Sequence, residues 1–320
     1  MRGFTFILSN IKINNYEPIE LIENYILRKA ADDEIEIIKN ELNKITIHHP
    51  FNNKDKDFIY EFNSKEVQKN ETTISYEKEP LTKNNFRYWV IEFDINYEIE
   101  SLETSINLLK NSFELGFTFM YPYPDNKERP IIGYSEYIIN KYKTMEQRYI
   151  KYNAIDIDIN EIISISKIYK QLKNNSDKYT FIKHSINNFN SLKYINYDSD
   201  LLLVGYFSII ETLVTHSPRL QESLDSISHQ IVNKLNLLQK FFLRQINYND
   251  YFENSNEDTI WKKLYSYRSD IAHGNIVDFN KKYILLKSNE NIKFFLIEII
   301  KNLILLALDK SDLLNDLKKC

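Results

Sequence analysis

Near its C-terminus the chain reads Tyr265-Ser266-Tyr267-Arg268-Ser269-Asp270-Ile271-Ala272-His273-Gly274. Arg268 and His273 stand five positions apart at the predicted end of a helix, with Gly274 behind them. This is the place where the sequence sets a permanent cation beside a group that moves a proton near neutral pH. Cleavage of a phosphodiester needs both. A guanidinium holds the phosphate through paired donors, and an imidazole serves as base or acid. The spacing also imposes a geometric condition. Five residues along a straight α-helix turn about 140°, so the two side chains do not share a face. A joint site requires the helix to stop at the motif, which Gly274 permits, or a second copy of the motif from another subunit. The bland reading is an ordinary helix C-terminus, where a cation is favourable against the helix dipole.

Three neighbours have candidate supporting roles. Glu211 lies between Ile210 and Leu213 in an apolar helix, where a carboxylate is rare unless paired. It either orients Arg268 or His273, or forms a structural ion pair. Asp270 either orients the imidazole or faces water. Ser269 either donates to a phosphate oxygen or caps local backbone. The other histidines carry less. His48-His49 precedes Pro50 without acids or cysteines at ligand spacing, and His184, His216 and His229 are spread over three helices as surface or helix-end residues. No metal site and no nucleotide-binding glycine loop is read from a chain with five glycines. Lys141, Lys143, Arg148 and Lys151 interleave with Tyr137, Tyr142, Tyr149 and Tyr152. Such a pattern suits a single nucleic-acid strand, but a solvated helix face with packed tyrosines explains it as well.

The elements that must position these residues fall in two halves. A chain of 320 residues has room for about two domains. Residues 1–155 read as an α+β module. Strands are expected over Gly3 to Leu8, Phe58 to Phe62, Thr72 to Tyr76, Phe86 to Ile95 and Phe117 to Tyr121, and helices over Pro18 to Leu42 and Leu102 to Phe113. The run Tyr121 to Pro130 holds three prolines and breaks the pattern. Residues 156–320 read as an all-helical domain with the boundary near Asp156, so the chain is mainly helical overall. Helices are expected over Glu136 to Tyr152, Asn160 to Lys173, Asp177 to Leu192, Asp198 to His216, Gln221 to Leu243, Asp258 to His273 and Asn291 to Lys318.

The formal net charge of −4 argues against a broad basic face for nucleic acid, so any such contact is local. The single cysteine, Cys320, excludes a disulfide framework and fits a reducing cytoplasm. Phe4 to Leu8 is too short for a signal sequence. Leu201 to Ile210 is too short to span a bilayer, and Phe294 to Leu308 is interrupted by Glu298, Lys301 and Asn302.

The phrase Tyr-x-x-Arg-Ser-x-Ile-x-His-Gly, the helix Tyr206 to Val214 with its Ile-Glu-Thr-Leu core, and a long following helix from about Leu220 to Phe242 together resemble the HEPN superfamily. The likeness is greatest to its Apea-like branch, and it covers roughly Asp177 to the C-terminus. The resemblance implies a compact helical bundle, usually a homodimer, and a metal-independent endoribonuclease that needs no cofactor. Arg268 and His273 fall on the family's catalytic positions. The residue after the arginine is often Asn, Asp or His in the wider superfamily, and here it is Ser269. The setting implied is prokaryotic antiviral defence or a toxin-like stress response, with RNA as substrate. Residues 1–155 would be a sensor or regulator answering a regulatory partner or a phage-derived trigger. The alternative is a non-catalytic binding or dimerisation module engaging RNA, a nucleotide or a partner protein.

Overall fold

The computed structural model describes residues 2–14, 17–46, 58–70, 73–94, 98–122, 130–148, 154–217, 226–253 and 256–319. The chain is mainly helical, with ten α-helices among the described residues. It divides into two compact units, Met1–Tyr169 and Lys170–Cys320. The division falls inside a helix, some residues beyond Asp156.

The first unit contains β1 (Arg2–Ile7), β2 (Ile11–Ile13), β3 (Ile19–Ile22), β4 (Tyr25–Lys29), α1 (Asp32–Thr46), β5 (Phe62–Asn70) and β6 (Thr73–Pro80). After these come β7 (Trp89–Phe93), α2 (Ile99–Asn107), β8 (Leu115–Tyr121), β9 (Ile131–Gly133), α3 (Glu136–Arg148), β10 (Ile155–Ile157) and most of α4 (Ile159–Asn175). Six strands form one antiparallel sheet in the order β3-β4-β7-β1-β8-β9. β5 and β6 make a separate hairpin, and β10 pairs with β2 in parallel. Alternate side chains of β1 and β8, Phe4, Phe6, Phe117 and Phe119, build the core with Ile38 and Leu42 of α1 and Tyr142 of α3. Phe4 stacks on Phe119 with centroids 4.7 Å apart. Each such ring contributes on the order of 2 kcal/mol by leaving water. Gly3 is demanded by this packing, since a Cβ there would lie 2.3 Å from the Phe119 carbonyl oxygen.

The helix expected over Pro18 to Leu42 is corrected. Its first half is the β3–β4 hairpin, and only Asp32–Thr46 is helical. Asn24 turns the hairpin with φ 66°, a left-handed conformation that asparagine tolerates. Tyr25 and Leu27 are buried while Ile26 is exposed, so the period is two, and β7 supplies the ladder that fixes it. Arg28 then ties the corner. Its guanidinium grips both oxygens of Glu34 at 2.7 and 2.8 Å and Glu92 at 2.7 Å. Glu34 also accepts the Ala31 N–H at 2.8 Å, as the third residue of a capped helix does. The strand expected over Phe58 to Phe62 is corrected too: the hairpin strand begins at Phe62, and residues 59–61 turn into it.

The second unit is helical throughout its described residues. It comprises α5 (Thr180–Leu192), α6 (Asp200–Val214), α7 (Ile227–Leu238), α8 (Glu257–Ala272), α9 (Asn289–Asp309) and α10 (Ser311–Lys319), with short 3₁₀ turns between. α6 packs against α5, α7, α8, α9 and α10 and is the centre of the bundle. α9 is buried on nearly every side from Ile292 to Leu308, and Phe295 gathers Tyr248, Tyr251, Phe252 and Trp261 around it. The helix expected over Asn291 to Lys318 breaks at Lys310 into α9 and α10. Asp312 holds the second piece aside by accepting from Lys178 and Tyr179 at 2.8 and 2.6 Å. The helix expected over Gln221 to Leu243 ends earlier, at Leu238, and continues as one 3₁₀ turn; residues 218–225 lie outside the described ones. Among the described residues no helix is long and apolar enough to cross a membrane.

One strand end carries a testable charge. Lys29 donates to the Phe86 carbonyl and lies 4.4 Å above the Trp89 ring. Burial, and then the positive charge of Arg87, pull its ammonium down to about 8 from 10.5. Between those two values the unfolded chain binds more protons than the folded one, so stability rises with pH. Denaturant midpoints should therefore climb from about pH 8 to 10 more steeply in the wild type than in Lys29→Met.

Candidate active site

Helix α8 is set by its ends and by one apolar stripe. Asn256 caps it by accepting the Asp258 N–H at 2.8 Å, and Glu257 and Asp258 suit the positive end of the helix dipole. Ile260, Trp261, Leu264, Tyr267 and Ile271 recur at helical spacing and are buried. The C-terminus closes as a Schellman turn. Gly274 N–H donates to the Ile271 carbonyl at 3.2 Å, and Asn275 N–H reaches the Asp270 carbonyl at 2.9 Å. Gly274 takes φ +70°. The helix thus ends at Ala272, and His273 is its capping residue, exposed to solvent. The imidazole has no hydrogen-bond or ion-pair partner among the described residues.

Arg268 sits one and a half turns back and faces α6. Its Nε is 3.5 Å from Glu211 Oε1, an ion pair without a formed hydrogen bond. Nε is buried, yet about a third of the side chain (34 %) is exposed. Tyr265, one turn earlier on the same face, donates its hydroxyl to Glu211 Oε1 at 3.0 Å, and its ring meets Phe207 edge-on. Burial raises the Tyr265 phenol far above its ordinary range, and the Glu211 carboxylate adds to that, so it stays protonated and donates. Glu211 is thereby held by two groups of α8. The structure shows its contact with Arg268, which fits both an orienting partner and a structural ion pair, and shows none with His273 among the described residues.

Asp270 is occupied elsewhere. Its carboxylate accepts from Lys282 Nζ at 2.7 Å, Tyr283 Oη at 2.6 Å and Asn275 Nδ2 at 3.3 Å. The hydrogen bonds from Lys282 and Tyr283 hold it at about 2. It neither orients His273 nor merely faces water; it ties the helix end to the segment that follows. Tyr283 is fully buried, stands within 3.2 Å of Ser266 Oγ, and packs its ring edge-on against Tyr267. Ser269 is exposed, and its carbonyl accepts the His273 N–H at 3.1 Å. Sequence reasoning gave no role to Tyr265, Lys282 or Tyr283. The first was legible as the residue three before Arg268 on one helix face. The other two lie across a loop and left no local signal.

The remaining sequence candidates separate. Tyr142 is buried in the core of the first unit, and Tyr137 and Lys141 both reach Glu114, at 3.2 and 3.5 Å. Tyr149, Lys151, Tyr152, His48 and His49 lie outside the described residues. His184 and His229 are exposed, whereas His216 is half-buried with Nδ1 3.2 Å from Lys234 Nζ. Among the described residues no three His, Cys, Asp or Glu side chains cluster as metal ligands would. No family model matches the chain, and no curated protein or solved structure matches it significantly.

The Asp270 clamp has a pH signature. A carboxyl held at about 2 in the folded chain and near 3.8 when unfolded stabilises above about pH 4, and that contribution fades as pH falls toward 2. Asp270→Asn should lower the thermal midpoint at neutral pH and flatten its dependence between about pH 4 and 2. The check is a melting series of both proteins across that range.

Proposed function

We propose that the second unit is a HEPN-like helical bundle and that the protein is a metal-independent endoribonuclease acting through Arg268 and His273. The observation that carries this reading is the end of α8. His273 caps the helix through its backbone and leaves its side chain exposed, and a partly exposed guanidinium lies on the same helix, steadied but not saturated by Glu211. In the reaction the 2′-hydroxyl of RNA attacks the adjacent phosphorus. One imidazole takes that proton, and an imidazolium gives a proton to the departing 5′-oxygen. The products are a 2′,3′-cyclic phosphate and a free 5′-hydroxyl. Arg268 stabilises the charge that builds on the phosphate oxygens. Glu211 and Tyr265 fix the direction of the guanidinium and are positioning residues. Ser269 is exposed beside the motif and available to a phosphate oxygen. The expected setting is antiviral defence or a toxin-like stress response in the cytoplasm, with RNA as the partner and a regulatory partner or phage-derived trigger as the signal.

The second reading is a non-catalytic module that binds RNA, a nucleotide or a protein. It is favoured by one observation, the charge that Arg268 already shares with Glu211. The two readings separate by a cleavage assay on purified protein. Arg268→Ala and His273→Ala should each lower cleavage by on the order of 10² to 10⁴, with the melting curve of His273→Ala close to wild type and that of Arg268→Ala lowered by loss of the Glu211 ion pair. Cleavage should persist in excess EDTA and leave a cyclic phosphate, because an internal hydroxyl needs no metal-bound water. Undiminished cleavage in both variants would end the catalytic assignment, and RNA binding without cleavage in the wild type would establish the second reading.

The helix geometry also bears on assembly. We propose that the site is shared between two chains, because Arg268 contacts Glu211 of α6 while His273 lies five residues on at the exposed helix end. A two-fold homodimer brings the arginine of one chain to the histidine of the other. Mixing Arg268→Ala with His273→Ala subunits should then restore part of the activity. A fully active monomer by light scattering at micromolar concentration would rule out the shared site.

A further inference from the structure

We propose that the first unit binds a phosphate-type oxyanion in a site made by Arg87, Lys29 and the indole of Trp89. Arg87 is 5 % exposed, yet no carboxylate among the described residues forms an ion pair with it. One terminal nitrogen donates to the Phe62 carbonyl, and Nε has no hydrogen-bond partner among the described residues. Trp89 stands two residues on, 1 % exposed, and its Nε1–H likewise has no acceptor among the described residues. Lys29 is paired with Trp89 across the β4–β7 ladder, and its ammonium lies 4.4 Å above the indole ring. Two cations and two buried N–H groups thus belong to three residues that neighbour one another along the β4–β7 ladder and the segment leading into it.

The neighbouring residue shows what compensation looks like in the same sheet. Arg28 holds Glu34 with two hydrogen bonds and Glu92 with a third. The carboxylates near Arg87 are committed elsewhere. Glu61 accepts from Lys39 at 2.8 Å and from Tyr88 at 3.0 Å. Asp156 acts on Arg87 only at a distance, is 73 % exposed, and pairs with Lys12 at 3.6 Å. A buried guanidinium beside an ammonium, with no ion-pair partner of its own among the described residues, is a charge that a bound anion would compensate. Two positive charges suit a dianion better than a single carboxylate, and the planar guanidinium fork matches phosphate oxygens. Lys29 is only partly buried, so the site opens to solvent at its ammonium end.

The test uses full-length protein carrying Arg268→Ala, so that a phosphate held at the candidate active site does not contribute. Thermal midpoints are followed against inorganic phosphate, acetate or adenosine monophosphate, with ionic strength held constant by chloride. Phosphate at about a hundredfold excess over Kd should raise the midpoint by about 5 to 10 °C, whereas acetate should stay near the chloride value. The rise should vanish in Arg87→Met and in Lys29→Met. Without phosphate, Arg87→Met should melt at the same temperature as its parent or higher, since it removes an uncompensated buried charge. Should that variant fail to fold, Lys29→Met carries the comparison. Stabilisation by adenosine monophosphate alone keeps the site and assigns its phosphate to a nucleotide. A midpoint that no oxyanion moves beyond the chloride control, or a rise that survives in the substituted proteins, would overturn the proposal.

Discussion

The left-handed backbone at Gly274 ends α8 at Ala272, and the candidate site depends on that ending. A Cβ at Gly274 would meet nothing within 4 Å, so the demand for glycine is conformational, not steric. Any other residue at φ +70° pays on the order of 1 kcal/mol for the left-handed turn. The turn also releases the last carbonyls to Gly274 and Asn275, which leaves the His273 side chain clear of the helix it caps. Had the helix run on, His273 would have been one more position on a continuous surface. Asp270 reinforces the stop from the side-chain level by gripping Lys282 and Tyr283, so the segment after the motif folds back against the helix end.

Glu211 does for Arg268 what Gly274 does for His273. A carboxylate in an apolar helix is tolerable because two groups of α8 answer it, the Tyr265 hydroxyl and the Arg268 guanidinium. The two contacts differ in kind. The phenol makes a hydrogen bond at 3.0 Å, while the arginine approaches to 3.5 Å without one. The guanidinium is therefore directed by charge and not locked by a hydrogen bond from Nε to Glu211, which is what the proposed role in holding a phosphate requires. Full capture, of the kind Arg28 shows with Glu34 and Glu92, would leave it little to offer a substrate.

Much of this was legible in residues that act locally. The Arg-x4-His spacing, Gly274 and the apolar period of α8 together specify a helix, its end and the residues beyond it. Glu211 stood out because its neighbours are apolar. What escaped the sequence was set by contacts between distant segments. Pro18 to Leu42 carries enough helical spacing to read as one helix, but the ladder to β7 takes Tyr25 to Lys29 as a strand and leaves the acids at Asp32 to open the helix. The break at Lys310 is accompanied by Asp312 meeting Lys178 and Tyr179, residues more than a hundred positions away. Asp270 was open between two readings because its partners, Lys282 and Tyr283, lie across a loop with no periodic pattern.

Buried cations show the same limit from another side, since sequence gives the charge but not its company. Lys293 is 4 % exposed, donates to the Tyr197 carbonyl and lies 4.3 Å above the Tyr197 ring. A carbonyl and an aromatic face suffice for that lone ammonium, because the ring's negative face and one acceptor replace part of its hydration. Lys29 has the same two contacts, with Phe86 and Trp89. It differs in having a buried cation nearby, Arg87, whose charge adds to burial in lowering the Lys29 ammonium. The indole beneath it and the guanidinium beside it each keep an N–H with no acceptor among the described residues. The pattern that calls for an anion is thus not a buried lysine, which this fold accommodates in α9. It is two cations and two unmet donors in one place, a conjunction that no stretch of the sequence displays.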